Sequence, residues 1–211
     1  MIYQRAKGLG DADAYGTEND ITSAGYDHIL HAASPLEPMP APPRVRLGGP
    51  DCTQPYDTAL LNISSMSFGS LSANAVRAMN YGAKHGGFAQ ETGEGGLSKY
   101  HLEYGADIIW EIGSGYFGCR TSDGDFDAQE FSEKAARPEV RGVLIKLSQG
   151  AKPGVGGVLP ARKITPEIAE ARDVPQGQDC VSPAAHPASA AAVGMMHFVA
   201  RLRELSGGKP V

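Results

Sequence analysis

A lysine interrupts an apolar run, and that interruption constrains the fold more than any other feature of this chain. Residues 142–163 read GVLIKLSQGAKPGVGGVLPARK, in which Val143, Leu144, Ile145 and Leu147 make the kind of run that forms a strand buried on both faces. Lys146 sits inside it. A lysine there is costly unless it meets an anion or turns into a polar cavity. The run then empties into a loop carrying Gln149, Lys152 and glycines at 150, 154, 156 and 157. Bare backbone of this kind lets N–H groups approach an anionic ligand closely. A flexible surface loop with solvated lysines is the better explanation of the loop alone, but it does not explain the lysine in the strand. Neither G-x-x-x-x-G-K-[ST] nor a G-x-G-x-x-G opening a helix is present, so the usual nucleotide-triphosphate and dinucleotide loops are excluded.

The remainder of the chain alternates strand and helix. Residues 1–58 read as an extension without sustained periodicity, where Pro35, Pro38, Pro40, Pro42 and Pro43 exclude a regular helix. From residue 59 the pattern repeats. Leu60–Met66 is strand-like, and Ser72 caps a helix running to about His85 that Gly86-Gly87 ends. Phe88–Thr92 and Asp107–Ile112 predict two further strands. Asp127 and Glu130 open a helix that Pro138 stops after Arg137, and GVLIKLS is the fourth strand. Thr165-Pro166 caps a short helix ending near Arg172. A longer helix, from about Ser189 to Leu205, places Ala192, Met195, Met196, Val199 and Leu202 at core spacing. Lys209-Pro210-Val211 then opens another strand. Such repetition predicts a parallel sheet with right-handed crossovers. Glycine-rich loops at the strand ends suit a (β/α)₈ TIM barrel, whose sites lie at the carboxyl ends of the strands. Roughly 150 residues remain after the extension against about 250 for a complete barrel, which predicts an incomplete barrel of about the first four βα units over residues 59–211.

Charge and cysteine content narrow the function. A formal net charge of −5, without a lysine- or arginine-rich run, argues against nucleic acid as a partner. Cys52, Cys119 and Cys180 are too far apart for zinc or iron–sulfur spacing and suit a reducing compartment. No transmembrane-length apolar stretch and no signal-peptide core are visible, so a cytoplasmic location is expected.

Four strand-end loops would converge on one face: SSMSFGS (64–70), QETGEGG (90–96), GSGYFGCR (113–120) and KLSQGAKPG (146–154). In the first, Ser67 and Ser70 with small-residue backbone can lie against a flat ring, although a serine-rich turn capping the next helix accounts for the same residues. In the second, Thr92 and Glu94 stand near glycines, and the carboxylate can handle a proton, hold an amine or merely be solvated. Tyr116 and Phe117 suit packing, and His186 suits either an anion contact or a structural role.

Taken together, YQRAKG, GGPDCTQPY, NISSMSFGSLSANA, TGEGG, WEIGSGYFGCR, KLSQGAKPGVGGVLP and LRELSGGKPV resemble the FMN-binding synthase domain of glutamate synthase, in particular the shorter glutamate-synthase-like flavoproteins. The resemblance implies a (β/α)₈ barrel with the FMN ring over the strand ends. There 2-oxoglutarate and ammonia form 2-iminoglutarate, and reduced FMN delivers a hydride to give L-glutamate. It implies Lys146 and Glu94 as catalytic residues, and Lys152, Gln149, Arg172 and Ser70 as substrate contacts. Met66, Ser67, Gly69, Thr92 and Lys146 would hold the cofactor, the lysine beside the flavin favouring its anionic reduced form. An electron-donor protein or domain is implied, with ammonia free or derived from glutamine on a separate subunit. The iron–sulfur cluster and the flavin phosphate loops are expected beyond residue 211.

Two departures are visible. The large glutamate synthases carry an acidic residue where this chain has Val155 and a polar one where it has Val158. A different oxo or imino acid and a non-catalytic half-barrel therefore stand as alternatives.

Overall fold

Residues 44–59 form an antiparallel hairpin, β1 (Arg44–Leu47) and β2 (Tyr56–Ala59), running from Arg44↔Ala59 to Leu47↔Tyr56. The computed structural model describes residues 3, 6–9, 16, 19–152, 154–189 and 191–211. The chain divides into two units, Met1–Pro40 and Ala41–Val211. The first has no strand among its described residues.

Within the second unit, α1 (Ala73–Gly86) starts where Ser72 Oγ accepts the Ala75 N–H and stops at Gly87 in the left-handed conformation. β3 (Gln90–Glu91), α2 (Lys99–Leu102), β4 (Ile108–Ile112), α3 (Ala128–Ala135) and β5 (Val140–Ile145) follow. The strands β3, β4 and β5 form one parallel sheet in that order. Asp127 caps α3 through the Gln129 and Glu130 N–H groups. A two-stranded antiparallel pair, β6 (Val158–Leu159) and β7 (Cys180–Val181), brackets α4 (Pro166–Arg172). The last helix is α5 (Ala192–Leu205).

The expected strand at Leu60–Met66 is reduced to one parallel bridge, Ile63 with Gln90. Asn62 explains the reduction. Its side chain donates to the Ala59 carbonyl (2.8 Å) and accepts the Ala89 N–H (2.9 Å), taking groups that a ladder would otherwise use. At the other edge of the sheet, the Val143 N–H donates to the Pro210 carbonyl at 2.9 Å. Backbone from residues 63 and 210 therefore flanks the three strands.

Side chains alternate across each strand, and among the described residues helices cover one face of the sheet. Ile108, Trp110 and Ile112 of β4, with Val140 and Val143 of β5, pack on Phe131 and Ala135 of α3 and on Phe198 and Leu202 of α5. Trp110 stacks on Phe131 with ring centroids 5.2 Å apart. A second cluster joins Phe68, Val76 and Phe117 to Leu159, Ile164 and Ile168. β5 is consequently not buried on both faces, because Leu144 is 39% exposed on the side away from the helices. On α5, Met195 packs against the core, but Met196 is exposed and Phe198 takes the central position. Tyr116 and Phe117 are buried packing residues, and His186 is buried edge-on against Tyr116.

Candidate functional site at the strand ends

The same alternation that builds the core gathers charge on the opposite face. Gln90 of β3 turns into the helix layer, where Asn80 donates to it at 3.0 Å, so Glu91 points the other way. In β4, Ile108, Trp110 and Ile112 face the helices, which leaves Glu111 on the other side. In β5, Val143 and Ile145 face the helices, so Leu144 and the next residue but one, Lys146, do not. The Lys146 N–H still bonds the Ile112 carbonyl at 3.0 Å, placing this lysine at the last rung of the ladder.

These groups form a continuous polar chain across the strand ends. Ser65 Oγ contacts Glu91 Oε2 at 2.7 Å and also Glu111 Oε2. Lys146 Nζ lies 4.0 Å from Glu111 Oε1 and 3.2 Å from Glu94 Oε1. The Gln149 amide donates to both Glu94 oxygens, at 2.9 and 3.0 Å. Glycine makes this approach possible: a Cβ at Gly157 would stand 2.9 Å from Glu94 Oε1. Glu111 is buried, and its carboxyl titrates above the ordinary range. Desolvation is the main cause, with Glu94 and Glu91 adding to it and Ser65 and Lys146 opposing it.

Beside this chain lies a cleft of about 200 Å³, lined by Ser67, Ser70, Glu94, Gln149, Lys152 and Arg172 among others. Arg172, the last residue of α4, is buried. It donates to the Phe68 carbonyl at 3.2 Å and lies over the Phe117 ring at 5.5 Å. Lys152 is exposed at the rim and has no carboxylate partner among the described residues. Two cations against one carboxylate suit a small anionic ligand.

The structure brings Lys146, Glu94, Gln149, Lys152, Arg172, Ser67 and Ser70 together around this cleft and its rim. Three other expected residues sit differently. The Thr92 hydroxyl is buried, accepts the Glu111 N–H (3.0 Å) and donates to the Gly93 carbonyl (2.9 Å), so it is committed to backbone. Gly69 turns its Cα toward Ile168 and Leu159 of the second core cluster. The Met66 backbone lies against Gly93.

Sequence reading passed over Glu111, Glu91 and Ser65. Glu111 was detectable, since an acid inside IIWEI is the same signal as a lysine inside VLIKL. Ser65 carries no mark that separates it from its serine neighbours. Among the described residues no three His, Cys, Asp or Glu side chains group as a metal site, and the three cysteines are free. The residues present therefore do not fit an iron–sulfur cluster. No helix among the described residues is long and apolar enough to cross a membrane.

Fold and site together define an α/β protein whose candidate ligand site lies where parallel strands end, beside glycine-rich loops. Comparison with known proteins narrows this further. Residues 54–211 match the conserved region in glutamate synthase, and the chain belongs to that family. It is 40% identical over 167 residues to the glutamate synthase large subunit-like protein YerD of Bacillus subtilis, covering 78% of this chain and 31% of that protein. It is 41% identical over 130 residues to the archaeal glutamate synthase [NADPH] of Methanocaldococcus jannaschii, covering 62% and 23%. A glutamate synthase large subunit-like protein of Rhizobium meliloti is 26% identical over 190 residues, covering 86% and 40%. The chain thus spans between 23% and 40% of the length of these relatives.

Proposed function

We propose that this chain is the first half of a glutamate synthase-type (β/α)₈ barrel that binds FMN and reductively aminates 2-oxoglutarate to L-glutamate. The observation that carries the reading is Lys146, held between Glu94 and Glu111 at the strand ends and next to a cleft with two cations. The barrel is supported by parallel strands in sequential order, flanked by backbone at residues 63 and 210, with helices on one face.

The residues present fit the flavin ring. The segment from Met66 to Ser70 offers the small side chains of Ser67 and Ser70 and the bare backbone of Gly69. It packs closely on the next loop, since a Cβ at Gly93 would fall 2.5 Å from Ser67 Oγ. Lys146 adds a cation on the same open face. In this reading FMN lies over the strand ends and the oxo acid takes the cleft of about 200 Å³. Met66, Ser67 and Lys146 would hold the ring. When bound, FMN supplies the hydride.

The chain's own residues supply binding, orientation and proton handling. Arg172 is fixed by its bond to Phe68 and by Phe117, so it presents a pre-positioned charge to one substrate carboxylate. Lys152, at the rim, meets the other. Lys146 stabilises negative charge at the oxo oxygen as ammonia adds. Glu94, kept in place by Gln149 and Lys146, accepts a proton from the incoming amine. The electron donor, ammonia delivered by another subunit and a cytoplasmic location belong to the same reading.

One observation favours a second substrate class. Val158 lines the cleft, giving it an apolar wall, and this suits an oxo acid with a less polar tail. The test is anaerobic. Flavin reduced on the chain joined to its remaining barrel units is mixed with ammonia and a panel of oxo acids, and reoxidation is followed by absorbance. Reoxidation by 2-oxoglutarate in preference to 2-oxo acids with apolar tails supports the first reading. The reverse order supports the second. Reoxidation independent of both ammonia and oxo acid contradicts the proposal.

A further inference from the structure

A hydroxyl group has one proton to donate, yet Ser65 Oγ stands in hydrogen-bonding contact with two carboxyl groups, those of Glu91 and Glu111. If both were ionised, one contact would set lone pair against lone pair. A single hydrogen shared between two acceptors lengthens both arms, which the 2.7 Å contact to Glu91 argues against. One carboxyl must therefore bring its own proton.

Burial decides which. Glu111 is 3% exposed, and its Oε1 accepts no hydrogen bond, lying 4.0 Å from Lys146 Nζ. Glu91 is only partly buried, and Ser65 is exposed, so that end of the trio reaches water. The charged groups facing Glu111 are Glu91 from β3, Glu94 from the loop after it and Lys146 after β5. Glu94 does not share this proton, because it already accepts two bonds from Gln149 and pairs with Lys146.

We infer that Glu111 is held as the neutral acid, donating through Oε2 to Ser65 Oγ, which in turn donates to Glu91 and links the buried proton to solvent. Exchange along this path is balanced. The Glu111 proton passes to Ser65 as the Ser65 proton passes to the Glu91 carboxylate, and the reverse sequence restores it. The consequence is a matter of charge: the strand ends carry two carboxylates, Glu91 and Glu94, rather than three, and Lys146 pairs with Glu94 alone. A site with three would repel the anion that its cleft is built to accept. Glu111 is thus a positioning residue acting through Lys146. The inference rests on the strand-end geometry and not on the identity of the ligand.

Infrared spectroscopy of the folded, unliganded protein tests it, without flavin or substrate. A protonated carboxyl C=O band is expected at neutral pH in the wild type and is lost in Glu111→Gln. Ser65→Ala should keep that band but move it to higher frequency, because Glu111 loses its acceptor. Glu111→Gln should match wild-type stability at neutral pH, since its amide can still donate to Ser65, whereas Glu111→Ala should not. With the folded value raised, the contribution of Glu111 to wild-type stability is fully present below the unfolded carboxyl value of about 4.3. It falls as pH rises through the folded value, and Glu111→Gln should lack that fall. Absence of a protonated-carboxyl band from the wild type at neutral pH overturns the inference, and that measurement needs no variant. A Glu111→Gln protein destabilised as far as Glu111→Ala overturns it as well.

Discussion

Replacing Lys146 by Met separates the charge of this site from its shape, because methionine nearly matches the lysine stem in length and volume. Lys146 is 30% exposed at its side chain and meets Glu94, itself 15% exposed, at 3.2 Å. Glu94 would keep its two bonds from Gln149, so the loop should hold its position and the fold should survive. The loss falls on the ligand. One charge-assisted contact is worth about 1.5–3 kcal/mol, which converts to roughly a ten- to hundredfold fall in kcat/KM for the oxo acid. Lys146→Arg keeps the charge and should lose less. The assay is steady-state turnover with 2-oxoglutarate and ammonia in a polypeptide carrying the full barrel, with circular dichroism to confirm folding. A folded Lys146→Met protein within about threefold of wild type would refute the assignment.

The other expectations concern the rim, the core and pH. Lys152→Met should raise the KM for the oxo acid with kcat largely kept, because Lys152 sits exposed at the cleft rim; an unchanged KM would remove it from the site. Asn80 is buried, donates to Gln90 and to the His101 carbonyl, and accepts the Tyr104 N–H at 2.8 Å. Asn80→Ala should therefore cost about 3–5 kcal/mol in urea denaturation, and a loss under about 1 kcal/mol would contradict this network. His101 is buried, and desolvation lowers its pKa from 6.5 to about 4. Because the folded value is depressed, its contribution is present above pH 6.5 and is lost as pH falls toward 4, by up to about 3 kcal/mol. His101→Gln should flatten the stability–pH curve in that window.

Helix ends were legible in the sequence because a single side chain sets each of them. Ser72, Asp127 and Thr165 cap the helices they were expected to cap. Strand ends were less legible, since a strand's extent depends on its partner. Leu60–Met66 reads as a strand until the Asn62 amide takes the backbone groups on either side. β6 and β7, two residues each, are too short to show a period. At the site, Lys146 betrayed itself by breaking an apolar run. The meeting of Glu94 with Lys146 and Gln149 is a tertiary contact across more than fifty positions, which no local pattern encodes. The bridging role of Ser65 was invisible for the same reason.

The most direct measurement is a crystal structure of the full barrel with 2-oxoglutarate bound. The account predicts one substrate carboxylate on Arg172, the other on Lys152, and the oxo oxygen toward Lys146, with Glu94 and Gln149 alongside. A ligand bound elsewhere, with the cleft between Ser67 and Arg172 holding only water, would contradict it.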